Sequence, residues 1–234
     1  MNVAIIAAAG RGERLGGERA KQFLELDGTP IIIHTLKRFD QCAAIHEVFV
    51  VLPSTEAASF LALAARYGLR KLARVVAGGA SRAESVWRGL QAVRAATAEI
   101  VAVHDGVRPF VTPQEISRTV EAASECGAAV LTAPAIDTIK EVEGGRVLRT
   151  LERARLRHAL TPQCFRYPLL RRAYEEAGDL LTRGDSITDD SALVERLGVS
   201  VAVVEGDSRN IKITRPSDLA LAEIFLKQMS EVLE

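Results

Sequence analysis

Residues 3–21 read VAIIAAAGRGERLGGERAK, and this stretch decides the fold. Its first part, Val3 to Ala9, is an unbroken apolar run that predicts a strand buried on both faces of a sheet. A loop of small and basic residues follows it. Such a loop lets backbone N–H groups approach a ligand closely and concentrates donors that suit phosphate oxygens. The N-terminal segment therefore predicts a strand that leads into a phosphate-binding loop.

The spacing of the glycines narrows the class of phosphate binder. Gly10, Gly12 and Gly16 do not match the G-x-G-x-x-G pattern of dinucleotide-binding proteins, and the loop lacks the G-K-[ST] ending of a P-loop. Arg14 and Lys21 place two cations where both could reach a reacting phosphate. A tight strand-to-helix turn with solvated charges remains the alternative interpretation of this loop.

Charge and cysteine content argue against several other classes. The 234-residue chain has 30 basic and 30 acidic residues and a formal net charge of zero, whereas a nucleic-acid or anionic-membrane binder needs a basic excess. Cys42, Cys126 and Cys164 show no C-x-x-C spacing, so the sequence predicts neither disulfides nor zinc and favours the reducing cytoplasm. The first apolar run is too short to span a bilayer and does not resemble a signal peptide.

Apolar runs recur along the chain, with helical patterns between most of them. The predicted strands are Val3–Ala9, Glu47–Leu52, Ala73–Ala77, Ile100–His104, Ala128–Thr132 and Val199–Val204. This alternation predicts a single three-layer α/β domain over residues 1–234, with a mainly parallel sheet. Ligands of such sheets bind beyond the carboxyl ends of the strands.

Capping patterns mark where the helices begin and end. The predicted N-terminal caps are Thr29-Pro30, Ser54, and the capping boxes Ser81-x-x-Glu84 and Thr112-Pro113-x-Glu115. The predicted glycines just past helix ends are Gly68, Gly127 and Gly198.

Residues 134–154 break this alternation. Ala135 to Lys140 and Arg146 to Leu151 are predicted strands that flank the turn Glu143-Gly144-Gly145, so the segment predicts a projecting β-hairpin arm. An isolated hairpin is marginally stable in water. We therefore expect the arm to dock on a second subunit and to form a homodimer.

Three further motifs follow predicted strands and so reach the same sheet edge. Residues 78–86 combine two glycines with Arg82 and open a helix, although a turn and a capping box explain much of this pattern. Asp105 ends a strand, the usual position for holding a phosphate-bound Mg²⁺; a turn residue that bonds its own backbone is the alternative. Lys212 follows the last strand.

Together these motifs, in this order, resemble the 2-C-methyl-D-erythritol 4-phosphate cytidylyltransferases. The resemblance covers nearly the whole chain and rests on the first loop, G-G-x-x-R-x-x-S-V at 78–86, H-D-x-x-R-P at 104–109, Thr161-Pro162-Gln163, Thr188-Asp189-Asp190 and N-x-K-x-T at 210–214. It implies a Rossmann-like nucleotidyltransferase that transfers CMP from CTP to methylerythritol phosphate in non-mevalonate isoprenoid biosynthesis. It also implies Mg²⁺ as the cofactor.

The resemblance also implies a role for each matching residue. Arg14 and Lys21 match the transition-state stabilisers. The CTP site is matched by Ala8, Ala9, Gly10, Gly79, Arg82, Ser85, Asp105 and Gly106, with Asp105 also beside the metal. The site of methylerythritol phosphate is matched by Lys212, Thr138, Thr161, Thr188 and Arg153, the last reaching across from the partner subunit. Two positions depart from the family's common residues: Ala20 stands where proline is frequent and Arg88 where asparagine is frequent, so we expect altered loop rigidity at most.

Three other functions stay open from the residues themselves. Ribitol-5-phosphate cytidylyltransferase shares most of these motifs, although the segment Thr150 to Leu156 resembles the methylerythritol branch. An NAD-dependent Rossmann oxidoreductase would need different glycine spacing and an acidic ribose ligand, for which residues 53–56 are a poor match. A non-catalytic nucleotide-sensing module would not require cations on both sides of a reacting phosphorus.

Overall fold

The computed structural model describes residues 1–10, 20–178, 187 and 189–231. Its strands are β1 (Val3–Ala7), β2 (Glu25–Leu26), β3 (Thr29–Pro30), β4 (Glu47–Leu52), β5 (Leu72–Ala77), β6 (Ile100–Asp105), β7 (Ala128–Pro134), β8 (Lys140–Glu143), β9 (Arg146–Thr150), β10 (Arg157–Arg166) and β11 (Ala202–Glu205). Its described α-helices are α1 (Ile31–Gln41), α2 (Ala57–Arg66), α3 (Arg82–Ala92), α4 (Pro113–Cys126), α5 (Tyr167–Glu176), α6 (Ser191–Glu195) and α7 (Pro216–Glu231).

Seven of these strands form one sheet in the order β11-β7-β10-β6-β1-β4-β5. Every neighbouring pair is parallel except the two pairs that involve β10. The predicted mainly parallel sheet is therefore confirmed. Because β1 lies between β6 and β4, residues 8–10, which follow β1, lie near the middle of the carboxyl edge.

Side chains alternate between the two faces of β1 and build two separate cores. Ala4 and Ile6 pack with α1, α2 and α4, whereas Val3 and Ile5 pack with α3, α5 and α6. Both faces of the sheet are thus covered, which explains why the strand sequence is apolar without interruption. The predicted three-layer arrangement is confirmed.

The sequence pattern did not predict β10, which inserts antiparallel between β6 and β7. Its register with β7 shifts between Ala159 and Gln163, and the Thr161–Pro162 peptide bond in that interval is cis. Proline cannot donate to a strand ladder, so a central proline argues against a central strand. The irregular interval accommodates Pro162 within the sheet.

Two of the predicted helix starts are wrong. Helix α1 begins at Ile31, and Pro30 belongs instead to the short β2–β3 pair, which turns at Asp27 and Gly28 with positive φ. Ser54 begins a 3-10 turn, and α2 starts after it without a side-chain cap. In both cases the chain enters the helix from a structured turn that replaces the cap.

The remaining capping predictions hold, one of them in part. Thr112 and Glu115 form the complete capping box of α4. Ser81 caps α3 through the backbone N–H of Glu84, but the Glu84 carboxylate accepts from Ala80 N–H rather than from Ser81. The predicted terminal glycines Gly68, Gly127 and Gly198 all have positive φ.

The predicted arm is confirmed as the hairpin β8–β9, although its first strand begins at Lys140 rather than Ala135. Gly144 and Gly145 both have positive φ, as a tight hairpin turn requires. Val142, Val147 and Leu148 are about 60% exposed on this arm. Among the described residues, no helix combines the length and apolar character needed to cross a membrane.

Candidate active site

A cavity of about 620 Å³ opens at the carboxyl ends of β1, β5 and β6. It is lined by Ala7, Ala8, Ala9, Gly10, Lys21, Gln22, Gly79, Ala80, Ser81, Arg82, Ser85, Asp105, Val107, Lys212 and Thr214. We call it the first cavity. Most residues predicted to hold the nucleotide lie on its wall, together with Lys21 and Lys212, which come from distant parts of the chain.

Close approach of β6 to β1 shapes the floor of the first cavity. Gly106 N–H donates to Ala7 O at 2.9 Å. A Cβ at Gly106 would lie 2.8 Å from the Ala8 Cβ, and one at Gly78 would lie 2.2 Å from the Ala9 Cβ. Both glycines are therefore required sterically, which is a packing role for Gly106 beside its predicted contact with the nucleotide.

Three cations surround the buried carboxylate of Asp105. Arg82 Nε lies 3.0 Å from Oδ1, while Lys212 Nζ and Arg108 Nε lie 3.0 and 3.3 Å from Oδ2. Burial alone would raise the pKa of Asp105, but the nearby cations outweigh burial and hold it well below the usual range. One permanent negative charge thus orders three positive groups, which leaves an excess of positive charge at the cavity.

Arg82 connects Asp105 to a second buried carboxylate. Its Nη2 donates to Asp190 Oδ2 at 2.9 Å, and Asp190 Oδ1 accepts from the Tyr174 hydroxyl. Burial lowers the pKa of Arg82, but Asp190 and Asp105 more than compensate and raise it. The remaining nitrogen, Nη1, is buried and has no partner among the described residues. Arg82, which lines the cavity, therefore has one buried nitrogen whose hydrogen-bonding capacity the described residues do not use.

The loop between β5 and α3 is held by side chains of the helix that it precedes. Ser85 Oγ accepts from Gly79 N–H and donates to Ser81 O, while Glu84 accepts from Ala80 N–H. Arg88 donates to Glu84 and to Gly78 O, both at 2.6 Å. A Cβ at Gly79 would collide with Glu84, so this glycine allows the carboxylate to fold back over the loop.

A buried polar network that the sequence did not predict lies beneath Asp105. Thr161 Oγ1 is 2.9 Å from His104 Nδ1 and accepts from Asp105 N–H at 3.2 Å. His104 Nε2 is 3.1 Å from Arg108 O, and Asn210 Nδ2 donates to Thr161 O at 2.9 Å. Burial lowers the pKa of His104 to about 4, so the ring is neutral at physiological pH. The network ties β6, β10 and the last loop together.

A second cavity of about 480 Å³ shares Lys212 and Thr214 with the first. Its other lining residues are Arg108, Ala133, His158, Ala159, Leu160, Ser208, Asn210, Ile211, Arg215 and Asp218. Basic groups of Arg108, Lys212 and Arg215 give it a cationic wall. Lys212 therefore stands between two cavities large enough for small ligands.

The structure does not bring every predicted site residue to this place. Thr138 and Arg153 lie at the base of the arm, where Arg153 Nη1 donates to Ile136 O. Arg153 and Arg157 line a separate cavity there. Thr161 is buried in the network beneath Asp105 rather than on either cavity wall. Arg14 and Thr188 lie outside the described residues.

The donor set does not fit a metal ion held by the protein alone. Both oxygens of Asp105 already face cations, and both oxygens of Asp190 have partners. Within the described ranges, no three His, Cys, Asp or Glu side chains lie together as metal ligands. The assignment of Asp105 as a metal ligand therefore stays a prediction.

The sheet order, the small residues Ala8 to Gly10 after β1 and the converging cations define a Rossmann-like nucleotidyltransferase. Residues 2–228 match the family model of 2-C-methyl-D-erythritol 4-phosphate cytidylyltransferase (IspD). The enzyme of that name from Bacillus velezensis is 44% identical to this chain, and the match covers 97% of each of the two proteins. The enzyme of that name from Syntrophotalea carbinolica is 45% identical, and the match covers 95% of this chain and 94% of that enzyme. The chain belongs to this family and is a cytidylyltransferase.

Solved structures agree with this assignment. A 4-diphosphocytidyl-2C-methyl-D-erythritol synthase from Anaerococcus prevotii superimposes with a TM-score of 0.84 at 29% identity, covering 97% of this chain and 96% of its own. The 2-C-methyl-D-erythritol 4-phosphate cytidylyltransferase of Thermus thermophilus gives 0.76 at 36% identity, with 96% and 98% covered. The family predicted from the motifs is confirmed, and the dehydrogenase alternative is wrong.

Proposed function

We propose that the first cavity is where this cytidylyltransferase transfers CMP from CTP to 2-C-methyl-D-erythritol 4-phosphate, with Lys21 and Lys212 facing the phosphates. The products are 4-diphosphocytidyl-2-C-methyl-D-erythritol and pyrophosphate. The observation that carries this proposal is that Lys21, Arg82 and Lys212 line one cavity, where Arg82 and Lys212 pair with the buried carboxylate of Asp105. Two polyanionic substrates can approach one another only where positive charge offsets their repulsion.

The reaction needs positioning and charge stabilisation rather than a protein nucleophile. An oxygen of the methylerythritol phosphate attacks the α-phosphorus of CTP, and the bond to the β-phosphate breaks in line, so its electron pair leaves on pyrophosphate. A phosphate monoester is already nucleophilic near neutral pH. Lys21 and Arg14 are assigned to the charge that develops on the α-phosphate and the leaving group.

Asp105 is assigned an organising role in this charge distribution. Its low pKa keeps it ionised, so it holds Arg82, Arg108 and Lys212 in fixed directions before substrate binds. Preorganised charges cost no rearrangement at the moment of reaction. Mg²⁺ would supply further neutralisation of the triphosphate, and Asp105, the acidic residue among the described lining of the first cavity, is the residue that would hold it.

The two cavities suggest where each substrate lies. CTP is assigned to the first cavity, against Ala8 to Gly10, Gly79, Arg82 and Ser85, where Arg82 Nη1 has an unused donor. Methylerythritol phosphate is assigned to the second cavity, whose cationic wall suits a phosphate. Lys212 borders both cavities, so it can contact the attacking phosphate.

The arm is assigned to a homodimer, in which Thr138 and Arg153 of one subunit complete the second-substrate site of the other. This assignment is supported by the exposed apolar side chains of the arm, which a partner surface would cover.

A cytoplasmic location is supported by the three cysteines, all of which are free thiols.

Turnover by the purified protein tests the reaction directly. We expect pyrophosphate release from CTP only when methylerythritol phosphate is added, with a much lower rate for ribitol 5-phosphate. A preference for ribitol 5-phosphate would favour ribitol-5-phosphate cytidylyltransferase, the alternative enzyme.

Lys21→Ala should lower kcat by about 10²–10³ while CTP still binds. Lys227→Ala, an exposed lysine on α7, is the matched control and should retain full activity.

A further inference from the structure

Gln22 lies on the wall of the first cavity with a buried side-chain amide that has no partner. The residue is 1% exposed, and neither Oε1 nor Nε2 makes a hydrogen bond to any described residue. Nearly all buried amides in folded proteins are hydrogen-bonded. An unsatisfied amide at a cavity wall therefore indicates a hydrogen-bond partner that the described residues do not provide.

The backbone around Gln22 is firmly held, so loose packing does not explain the missing partners. Phe23 N–H donates to Ala20 O at 2.9 Å, and Leu24 N–H donates to Lys21 O at 3.2 Å. The Phe23 ring is buried, with its centroid 6.3 Å from that of Phe60. The turn is thus anchored on both sides of Gln22 while the amide remains unpaired.

Unused hydrogen-bonding capacity is concentrated at the two cavities. The buried side-chain atoms without partners, within the ranges that the structure describes, are Gln22 Oε1 and Nε2, Arg82 Nη1 and Asn210 Oδ1. Gln22 and Arg82 line the first cavity, and Asn210 lines the second. A random packing defect would not select these walls, whereas a site that waits for polar ligands would.

The chemistry of the amide indicates what it binds. A phosphate oxygen only accepts hydrogen bonds, so it would leave Gln22 Oε1 unpaired, and the neighbouring Lys21 already provides a cation. A hydroxyl group both donates and accepts, which matches the amide. We propose that Gln22 hydrogen-bonds a hydroxyl of a bound substrate and is a specificity-determining residue of this active site. This proposal rests on the function proposed above.

Two sources can supply that hydroxyl, the ribose of CTP and the polyol of methylerythritol phosphate. The amide atoms are nearly closed to water in this form, so a small adjustment of the cavity wall on binding must bring the hydroxyl within reach. The hydrogen bond then forms in a site from which bulk water is excluded. Loss of such a bond changes affinity by roughly 3- to 15-fold.

Gln22→Met separates a ligand-binding amide from a merely structural one. Methionine has nearly the same size but cannot satisfy a hydroxyl, so the free variant should gain about 2–4 °C in Tm because an unpaired buried amide is removed. At the same time, the Kd or KM for one substrate should rise about 10-fold. Wild-type values for both substrates would overturn the proposal, whatever the change in Tm.

Calorimetric titrations identify the source of the hydroxyl. If the hydroxyl belongs to ribose, either 2′-deoxy-CTP or 3′-deoxy-CTP should bind the wild type about as weakly as CTP binds Gln22→Met. The variant should then bind CTP and that deoxy analogue with equal affinity. If it belongs to the polyol, CTP should bind both proteins equally and only methylerythritol phosphate should bind the variant more weakly. These titrations need no turnover, so they decide the role of Gln22 even if the wild type proves inactive on methylerythritol phosphate.

Two other glutamines are matched controls. Gln163 is equally buried, but its Oε1 accepts from the N–H groups of Asp190 and Ser191 at 2.9 Å each, so Gln163→Met should lower Tm. Gln91 is exposed on α3, and Gln91→Met should change neither Tm nor KM. If Gln22→Met does not fold, Gln22→Asn retains an amide but withdraws it by one methylene, and the same weakening for one substrate is expected.

Discussion

The Asp105 cluster and the β8–β9 arm contrast in how completely the rest of the chain covers them. Asp105 is 5% exposed, and each of its oxygens has a charged partner from the same chain. The arm instead exposes Val142 and Val147, and its ion pair between Arg149 and Glu141 faces solvent. The charges of the cluster are thus paired within the chain, whereas an isolated, exposed hairpin is only marginally stable in water.

Removal of the central carboxylate should give the largest effect. Asp105→Asn leaves Arg82, Arg108 and Lys212 around a neutral amide, so we expect a loss of about 3–5 kcal/mol in unfolding free energy. Denaturant titration measures this quantity. Glu141→Gln in the exposed arm pair should cost less than about 1 kcal/mol. Equal losses in the two variants would mean that the cluster and the arm do not differ as described.

The network beneath the cluster should make stability depend on pH. Burial lowers the pKa of His104 to about 4 from its ordinary 6.5, so the unfolded chain binds a proton between these values and the folded chain does not. Its contribution is therefore complete above pH 6.5 and decreases by up to about 3 kcal/mol as the pH falls to 4. His104→Gln should remove this component, as chemical unfolding at a series of pH values would reveal. An unchanged pH profile would contradict a neutral, buried ring.

Mixed subunits test whether the arm completes a partner's site. Arg153→Ala and Lys212→Ser should each weaken use of methylerythritol phosphate strongly when present in every subunit. If Arg153 acts across the interface, random mixing of the two variants after subunit exchange should restore about a quarter of the wild-type sites. No recovery in verified heterodimers would place Arg153 and Lys212 of one subunit at the same site.

The Arg88 contacts should give the smallest effect. Arg88→Asn replaces the guanidinium that links Glu84 to Gly78 O with the residue common in the family. Both side chains are partly exposed, so solvent screens their attraction and we expect less than about a threefold change in the KM for CTP. Steady-state kinetics with saturating second substrate measure it. A tenfold change in the KM for CTP would show that this exposed ion pair is needed to hold the loop, and would contradict its expected minor role.

Local patterns predicted those parts of the site that lie at strand ends. The apolar runs of β1 and β6 placed Ala8 to Gly10 and Asp105 at one sheet edge, because parallel strands present their carboxyl ends together. The turn between β5 and α3 likewise placed Gly79, Arg82 and Ser85 at the same sheet edge. The roles of these residues came from the family's motifs, since a loop and a turn by themselves also fit a purely structural role.

Contacts between residues far apart in sequence were not predicted, even where the residues themselves belonged to a recognised motif. Asp190 is far from Arg82 in sequence yet bonds it directly, and Thr161 meets His104 because β10 inserts antiparallel beside β6. No periodicity encodes such pairs, and Pro162 concealed the strand that creates them. Gln22 is next to Lys21 in the sequence, but nothing in the sequence indicates that its side-chain amide is buried without a partner among the described residues.

The sequence by itself determined the six parallel strands of the sheet, the alternation of strands with helices, the arm and the family, because apolar periodicity, turn chemistry and motif order are properties of neighbouring residues. The tertiary structure decided which charges meet. Asp105 pairs with Arg82, which is 23 residues away in sequence, and with Lys212, which is about a hundred residues away, because folding brings these chain segments within hydrogen-bond distance. Burial at that meeting point excludes water, and this exclusion turns ordinary charges into an ordered positive site on a chain of zero net charge.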